Sequence, residues 1–257
     1  MPVASDLYYY YYQSGELESL PVVFIHGAGG NHLYWPVEVR RMPGFRIFAP
    51  DLPGHGKSGG RGQQSVESYA HLILTWLESL GIHRAAFAGH SMGSAIAMEM
   101  ALHHSDSVLA LCLLGAGARL HVHPDLLAGS SSETTFYSAV DRLVHNSYDA
   151  SADPRLVELA VERMAEVRPS VLHGDLLACD AFDISDQVQR IRKPALVVCG
   201  AEDKMTPLRY SQFLVDHLPS AKLEIIQNAG HMVMQEQPDK VAELLRDFLA
   251  GIPYLSG

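Results

Sequence analysis

Short apolar runs alternate along this chain with longer amphipathic stretches, and that alternation restricts the fold more than any other feature. The runs are 21–27 (PVVFIHG), 45–51 (FRIFAPD), 85–89 (AAFAG), 108–115 (VLALCLLG), 194–200 (PALVVCG) and 221–227 (AKLEIIQ). Most are nearly continuous apolar segments, as expected of strands covered on both faces by helices. Between them, 66–80, 92–104, 208–217 and 238–250 carry helical periodicity. Strand followed by helix, repeated, predicts a parallel sheet flanked by helices. At 257 residues, the chain is long enough to bury a substantial core. The tyrosine run 8–12 predicts a first strand at the sheet edge.

The rhythm stops between residues 119 and 188. That stretch has no strong buried-strand run, only helix-forming segments at 124–127, 133–148, 154–167 and 170–182 separated by Ser, Asp and Pro. It is too long for an ordinary connection. The reading is a core in two parts, 1–118 and 189–257, interrupted by a helical cap at 119–188.

Residues 89–93 read GHSMG, placed where the run AAFAG ends and the helix-forming stretch SAIAMEMALHH begins. A sharp strand-to-helix turn strains the residue at its apex and crowds the positions two before and two after it, so glycine suits both. The apex hydroxyl, Ser91, is lifted above the sheet where the free N–H groups of the helix favour negative charge. This is the pattern of a nucleophile elbow. A serine hydroxyl needs a base, and the base an orienting acid. His231 ends the stretch AKLEIIQNAGH and Asp203 ends PALVVCGAED, both at the carboxyl edge of the sheet, where open α/β sheets place their ligands. Glu202 is the rival acid, set behind Asp203. An oxyanion also needs donors. The N–H of Met92 is one, and the loop HGAGG (26–30) supplies the second from Ala28, with Gly29 as the alternative.

Together HGAGG (26–30), DLPGHGKS (51–58), GHSMG (89–93), GAED (200–203) and NAGH (228–231) resemble the α/β-hydrolase fold, and in particular its serine carboxylesterase-like members. The resemblance covers nearly the whole chain outside 119–188. It implies a mostly parallel eight-stranded sheet flanked by helices, with a helical cap between the sixth and seventh strands that shapes the substrate pocket. It makes DLPGHGKS a structural turn in which Asp51 and Ser58 tie loops together. The function expected is cleavage of carboxylic esters of short or medium acyl chain through an acyl-enzyme, with Ser91, Asp203 and His231 catalytic. Tyr34, Trp35, Met205 and Met232 are expected at the pocket, with Met92 and Met234 also candidates, core packing being an equal reading for Met234. Carbon–carbon hydrolases of ring-fission products share the triad, but tend to carry an aromatic residue after the base histidine and a second glycine after the elbow. Met232 and Ser94 stand in those places here. Perhydrolases use the same triad, and some family members serve as ligand receptors or signalling modules.

Composition narrows the partners. The formal net charge is −10, which disfavours nucleic acid and anionic membrane surfaces. Three cysteines, Cys112, Cys179 and Cys199, have no metal or disulfide spacing and are expected as buried thiols. GHGKS lacks the first glycine of a phosphate-binding loop, since Asp51 occupies that place. His55 and His90 are expected as hydrogen-bonding residues near the site. The histidine pairs 103/104 and 121/123 lack further metal ligands, and Asp180 and Asp183 are expected to anchor loops. No cofactor and no metal is expected, nor any membrane span. The expected setting is the cytoplasm, as a monomer or homodimer acting on a small ester.

Overall fold

The computed structural model describes residues 3–14 and 18–254. Its eight strands, in chain order, are β1 (Val3–Ala4), β2 (Leu7–Gln13), β3 (Pro21–Ile25), β4 (Arg46–Pro50), β5 (Ala85–His90), β6 (Val108–Leu114), β7 (Ala195–Gly200) and β8 (Ala221–Ile226). They form one sheet in the order β1-β2-β4-β3-β5-β6-β7-β8. The pairs β1–β2 and β2–β4 are antiparallel, and every later pair is parallel. Strands β3, β5, β6 and β7 are buried at every position, which is why their sequences are unbroken apolar runs rather than alternations. Strand β8 forms the opposite edge and admits Lys222 and Glu224 on its open side.

The tyrosine strand departs from expectation in one respect. It is β2, and it is not outermost, because Val3 and Ala4 pair along its outer side. Its residues do face both ways: Tyr8 and Tyr9 are buried, while Tyr11 is exposed.

Each central strand divides its side chains between two cores, as the two-residue period of a strand requires. Val23 and Ile25 join Phe87, Leu111, Leu113 and Val197 on one face. Helices α2 (Val66–Ser79) and α3 (Met92–His103) cover that face with Ile73, Trp76 and Ile96 among others. Ser65 caps α2 by accepting a hydrogen bond from the Ser68 N–H. Val22 and Phe24 join Ala88, Leu114 and Val198 on the other face. There the short α1 (Val37–Arg40) contributes Val39, and the C-terminal α10 (Pro238–Ala250) contributes Val241, Leu245 and Leu249.

Four α-helices lie between β6 and β7: α4 (Pro124–Ser130), α5 (Glu133–Ser147), α6 (Pro154–Ala165) and α7 (Pro169–Ala181), followed by a 3-10 turn at Val188–Arg190. Their apolar side chains, including Phe136, Val140, Leu143, Met164 and Leu172, run continuously into the second core. The two ends of this excursion meet in an antiparallel bridge between Arg119 and Asp183, flanked by Leu120 N–H to Phe182 O (3.3 Å) and Ile184 N–H to Ala118 O (2.9 Å). Helix α8 (Leu208–His217) and the single turn α9 (Val233–Glu236) complete the fold.

Candidate active site

The turn at Ser91 is strained. Its φ is +53° with ψ −116°, in a region a non-glycine residue enters only when its surroundings hold it there, at a cost of about 1–3 kcal/mol. The Ser91 N–H donates to Leu114 O (2.9 Å), and Ser91 O accepts from the Ser94 N–H (2.9 Å). Ser94 Oγ donates to Gly89 O (2.6 Å). A Cβ at Gly89 would lie 2.2 Å from Gly93 O, and one at Gly93 would lie 2.1 Å from Ile25 O. Neither contact has a flexible side chain that could yield, so both glycines are required by the backbone.

Asp203 and His231 follow the ends of β7 and β8. Asp203 Oδ2 accepts from His231 Nδ1 (2.9 Å) and from Thr206 Oγ1 (2.9 Å), while Oδ1 accepts from the N–H groups of Met205 (2.9 Å) and Thr206 (2.8 Å). Burial alone would raise the Asp203 pKa. The facing His231 and these hydrogen bonds outweigh that and hold it below the ordinary carboxylate value. Because Nδ1 donates to a carboxylate, the neutral imidazole carries its free lone pair on Nε2. Glu202 is exposed and takes no part. His90 Nε2 donates to the backbone oxygen of His231 (2.9 Å), and Gly115, at φ +54°, leaves room for the imidazole, which a Cβ there would approach to 2.9 Å. Thr206 and Gly115 were not singled out in sequence.

Ser91 and His231 line one cavity of about 360 Å³, and Ser91 Oγ makes no hydrogen bond with a described residue. No Ser91–His231 hydrogen bond is formed in this structure, and in many enzymes such a bond tightens only once substrate is bound. The N–H groups of Ala28 and Met92 have no partner among the described residues. The Gly29 N–H is different: it donates to Asp175 Oδ2 (2.8 Å), so Gly29 is withdrawn as the alternative donor. Leu120, Val122, Leu126, Leu143 and Met164 give the cavity its apolar wall.

Tyr34, Met205 and Met232 line the cavity. Trp35 does not. It turns under the sheet with its ring centroid 4.8 Å from that of Phe24, wholly buried in the second core. The Met92 side chain is likewise buried in the first core, away from the cavity wall, and Met234 packs in the second core, one of the two readings of its position. Asp51 is buried and accepts from the N–H and Nδ1 of His32 (2.7 and 2.8 Å) and from the Lys57 N–H (2.9 Å). Ser58 Oγ donates to Asp51 O (2.6 Å) and accepts from the Tyr8 N–H (2.9 Å), so this loop is tied together as expected. The three cysteines are free and buried. Among the described residues, no group of three His, Cys, Asp or Glu is placed to hold a metal, and no helix is long and apolar enough to cross a membrane.

A strained serine turn, an aspartate–histidine pair at neighbouring strand ends and an eight-stranded, mostly parallel sheet define a class of protein. The chain belongs to the α/β-hydrolase fold family, whose model matches residues 21–238. Among its relatives is the pimeloyl-[acyl-carrier protein] methyl ester esterase of Neisseria meningitidis, 27% identical over 255 residues, covering 92% of this chain and 98% of that protein. A second is the 2-hydroxy-6-oxo-6-phenylhexa-2,4-dienoate hydrolase of Burkholderia cepacia, 27% identical over 250 residues, covering 89% of this chain and 87% of that one. Among solved structures, a thermophilic esterase superposes with a TM-score of 0.80 at 31% identity, covering 96% of this chain and 100% of that one. The chain is thus similar to hydrolases, esterases among them.

Proposed function

We propose that the protein is a serine hydrolase that cleaves carboxylic esters of short or medium acyl chain through an acyl-enzyme. The observation that carries this reading is the 2.9 Å Asp203–His231 hydrogen bond at the cavity onto which the strained Ser91 opens. In the proposed reaction, His231 Nε2 takes the proton from Ser91 Oγ as that oxygen attacks the ester carbonyl. The N–H groups of Ala28 and Met92 receive the carbonyl oxygen as it becomes negative, each contributing about 3 kcal/mol to the transition state. The imidazolium protonates the leaving alcohol. A water activated by the same imidazole then releases the acid. Asp203 keeps the imidazole in the required tautomer and offsets its positive charge.

Helices α4–α7 act as the cap, and with Tyr34, Met205 and Met232 they enclose the acyl chain. No Asp or Glu lines the cavity among the described residues, whereas Arg142 and Lys204 do. This favours uncharged or anionic substrates over cationic ones. The buried free thiols fit a reducing compartment, and we place the enzyme in the cytoplasm.

The test is turnover of p-nitrophenyl esters of increasing chain length, set beside an amide, a lactone and a ring-fission product, by wild type and Ser91→Ala. The variant is expected to fold normally and to lose at least about 10³-fold in kcat. Ester turnover by Ser91→Ala within about twofold of wild type would overturn the assignment. The similarity to the Burkholderia cepacia hydrolase is the reason to include the ring-fission product. Its turnover above that of every ester would move the reading to carbon–carbon cleavage.

A further inference from the structure

Helix α7 carries a wholly buried carboxylate into an otherwise apolar contact. Asp175 is 0% exposed and sits between Leu172, Leu176 and Cys179, all of them buried. A buried charge is costly unless each lone pair it presents is met by a donor. Asp175 meets three. Oδ2 accepts from the Gly29 N–H (2.8 Å) and from His55 Nε2 (2.7 Å). Oδ1 accepts from the Tyr69 hydroxyl (2.5 Å). That hydroxyl itself accepts from the Gln63 N–H (2.9 Å), so its proton points at Asp175. His55 Nδ1 faces Pro53 O (3.1 Å), an atom that only accepts. Both ring nitrogens therefore face acceptor oxygens, an arrangement that favours the protonated ring. Burial works against that charge on His55, but the facing Asp175 outweighs it and raises the His55 pKa above its ordinary value.

The donors come from three separate places in the core: the 26–30 loop, the 51–58 loop and α2. The acceptor comes from the helices between β6 and β7. Gly29 is the point of contact. It has φ +63°, and a Cβ there would lie 3.0 Å from Leu172 Cδ1, so α7 rests directly on the loop. The Gly29 amide nitrogen closes the peptide that follows Ala28. The Ala28 N–H belongs to the peptide before it, whose carbonyl, Gly27 O, accepts from the Gly30 N–H (3.1 Å); with the Gly29 N–H held by Asp175 as well, both peptides that flank Ala28 are tied in place. Released from Asp175, Gly29 would present an unsatisfied buried donor, which favours rotation of that peptide.

We propose that Asp175 is a positioning residue which, by pinning the Gly29 amide from helix α7, aims the Ala28 N–H at the oxyanion and makes the seating of α4–α7 a condition for a complete oxyanion site. This rests on the esterase reading above. It places specific demands on kinetics. An oxyanion donor acts on the transition state and not on the bound ester, so its displacement lowers kcat and leaves KM nearly unchanged.

The experiment compares wild type, Asp175→Ala and Tyr69→Phe. Alanine leaves no acceptor at the Oδ2 position that serves Gly29 and His55, nor at the Oδ1 position that serves Tyr69. Tyr69→Phe removes the third donor and leaves the Gly29 bond in place, so it controls for loss of stability alone. With p-nitrophenyl butyrate, Asp175→Ala is expected to lose at least tenfold in kcat with KM within twofold. The Ki of an alkyl trifluoromethyl ketone, whose adduct with Ser91 bears the oxyanion, should rise in proportion. The Ki of the matching secondary alcohol should not move. Tyr69→Phe is expected to keep kcat within twofold. Retention of kcat and ketone affinity in Asp175→Ala overturns the proposal, as does an equal kcat loss in Tyr69→Phe.

Should Asp175→Ala not fold, native-state hydrogen exchange of the wild type decides. The Gly29 amide is expected to exchange with the same opening free energy as the amides of α7, and exchange at the rate of an exposed loop overturns the proposal. The two readings fail separately. A wild type that neither turns over esters nor is labelled at Ser91 by a fluorophosphonate defeats the esterase reading. A labelled, active wild type whose Asp175→Ala variant is kinetically intact defeats only the role of Asp175.

Discussion

Mild acid is expected to weaken this protein through histidines that the fold keeps neutral, and His90 isolates the effect. His90 is 2% exposed. Its Nε2 donates to His231 O, while Nδ1 has no partner and lies against Gly27. Burial, reinforced by the neighbouring His231, lowers the His90 pKa from 6.5 to about 3. A histidine whose folded pKa is depressed binds its proton more readily in the unfolded chain, so stability falls as pH drops below 6.5 toward 3. At pH 5 the folded side chain is still neutral and the unfolded one is charged. The loss relative to pH 7 is then set by the 1.5-unit distance from 6.5, and amounts to about 2 kcal/mol. The same reasoning applies to His26, lowered to about 4 chiefly by burial. Its Nε2 accepts from the Leu52 N–H and so cannot also carry a proton. His55, raised by Asp175, has the opposite sign: its contribution is complete below 6.5 and is lost as pH rises through its folded value. The wild-type slope is therefore a sum, and a difference is needed. His90→Gln can still donate to His231 O but has nothing to titrate. Urea unfolding of both proteins at pH 7 and pH 5 should show a pH-dependent loss about 2 kcal/mol smaller in the variant, whatever its stability at pH 7. Equal losses in the two proteins would refute the reasoning.

Two further outcomes follow from the geometry. Gly115→Ala places a Cβ 2.9 Å from the His231 ring at φ +54°, so kcat should fall at least tenfold while the melting temperature drops by only a few degrees; this is read by steady-state kinetics beside thermal unfolding. Trp35→Phe should leave KM for every ester in the series within twofold and cost about 1–3 kcal/mol in stability, since the indole packs on Phe24 and not on substrate; denaturant melts and a KM series check it.

The strands were legible because both faces of β3, β5, β6 and β7 are covered, which leaves no position for a polar residue. The edge strand β8 was found despite Lys222 and Glu224, through its apolar tail. The outermost β1 escaped notice because two residues carry no period. Ser91, Asp203 and His231 could be placed because each follows an apolar run at the same sheet edge, and Gly89 and Gly93 because their crowding is local to the turn. Trp35 was misplaced because adjacency to Tyr34 says nothing about direction: the short turn at His32–Tyr34 leaves Tyr34 on the cavity and sends its neighbour into the core. Asp175 was invisible. Its partners lie 146, 120 and 106 residues away, and no local pattern marks an aspartate whose donors come from three other elements.

The antiparallel step at Arg119 and Asp183 has a consequence for how such chains diversify. Where the segment departs and returns, its two ends are joined to each other across one bridge. A different set of helices grafted there would have to match that short junction, the apolar face laid on the second core and the hydrogen bonds that Ser147, Tyr148, Asp149 and Arg168 make with the rest of the chain. It would also have to replace the acidic side chain that reaches down from α7: a graft lacking its counterpart would inherit an intact serine turn and an untethered glycine loop.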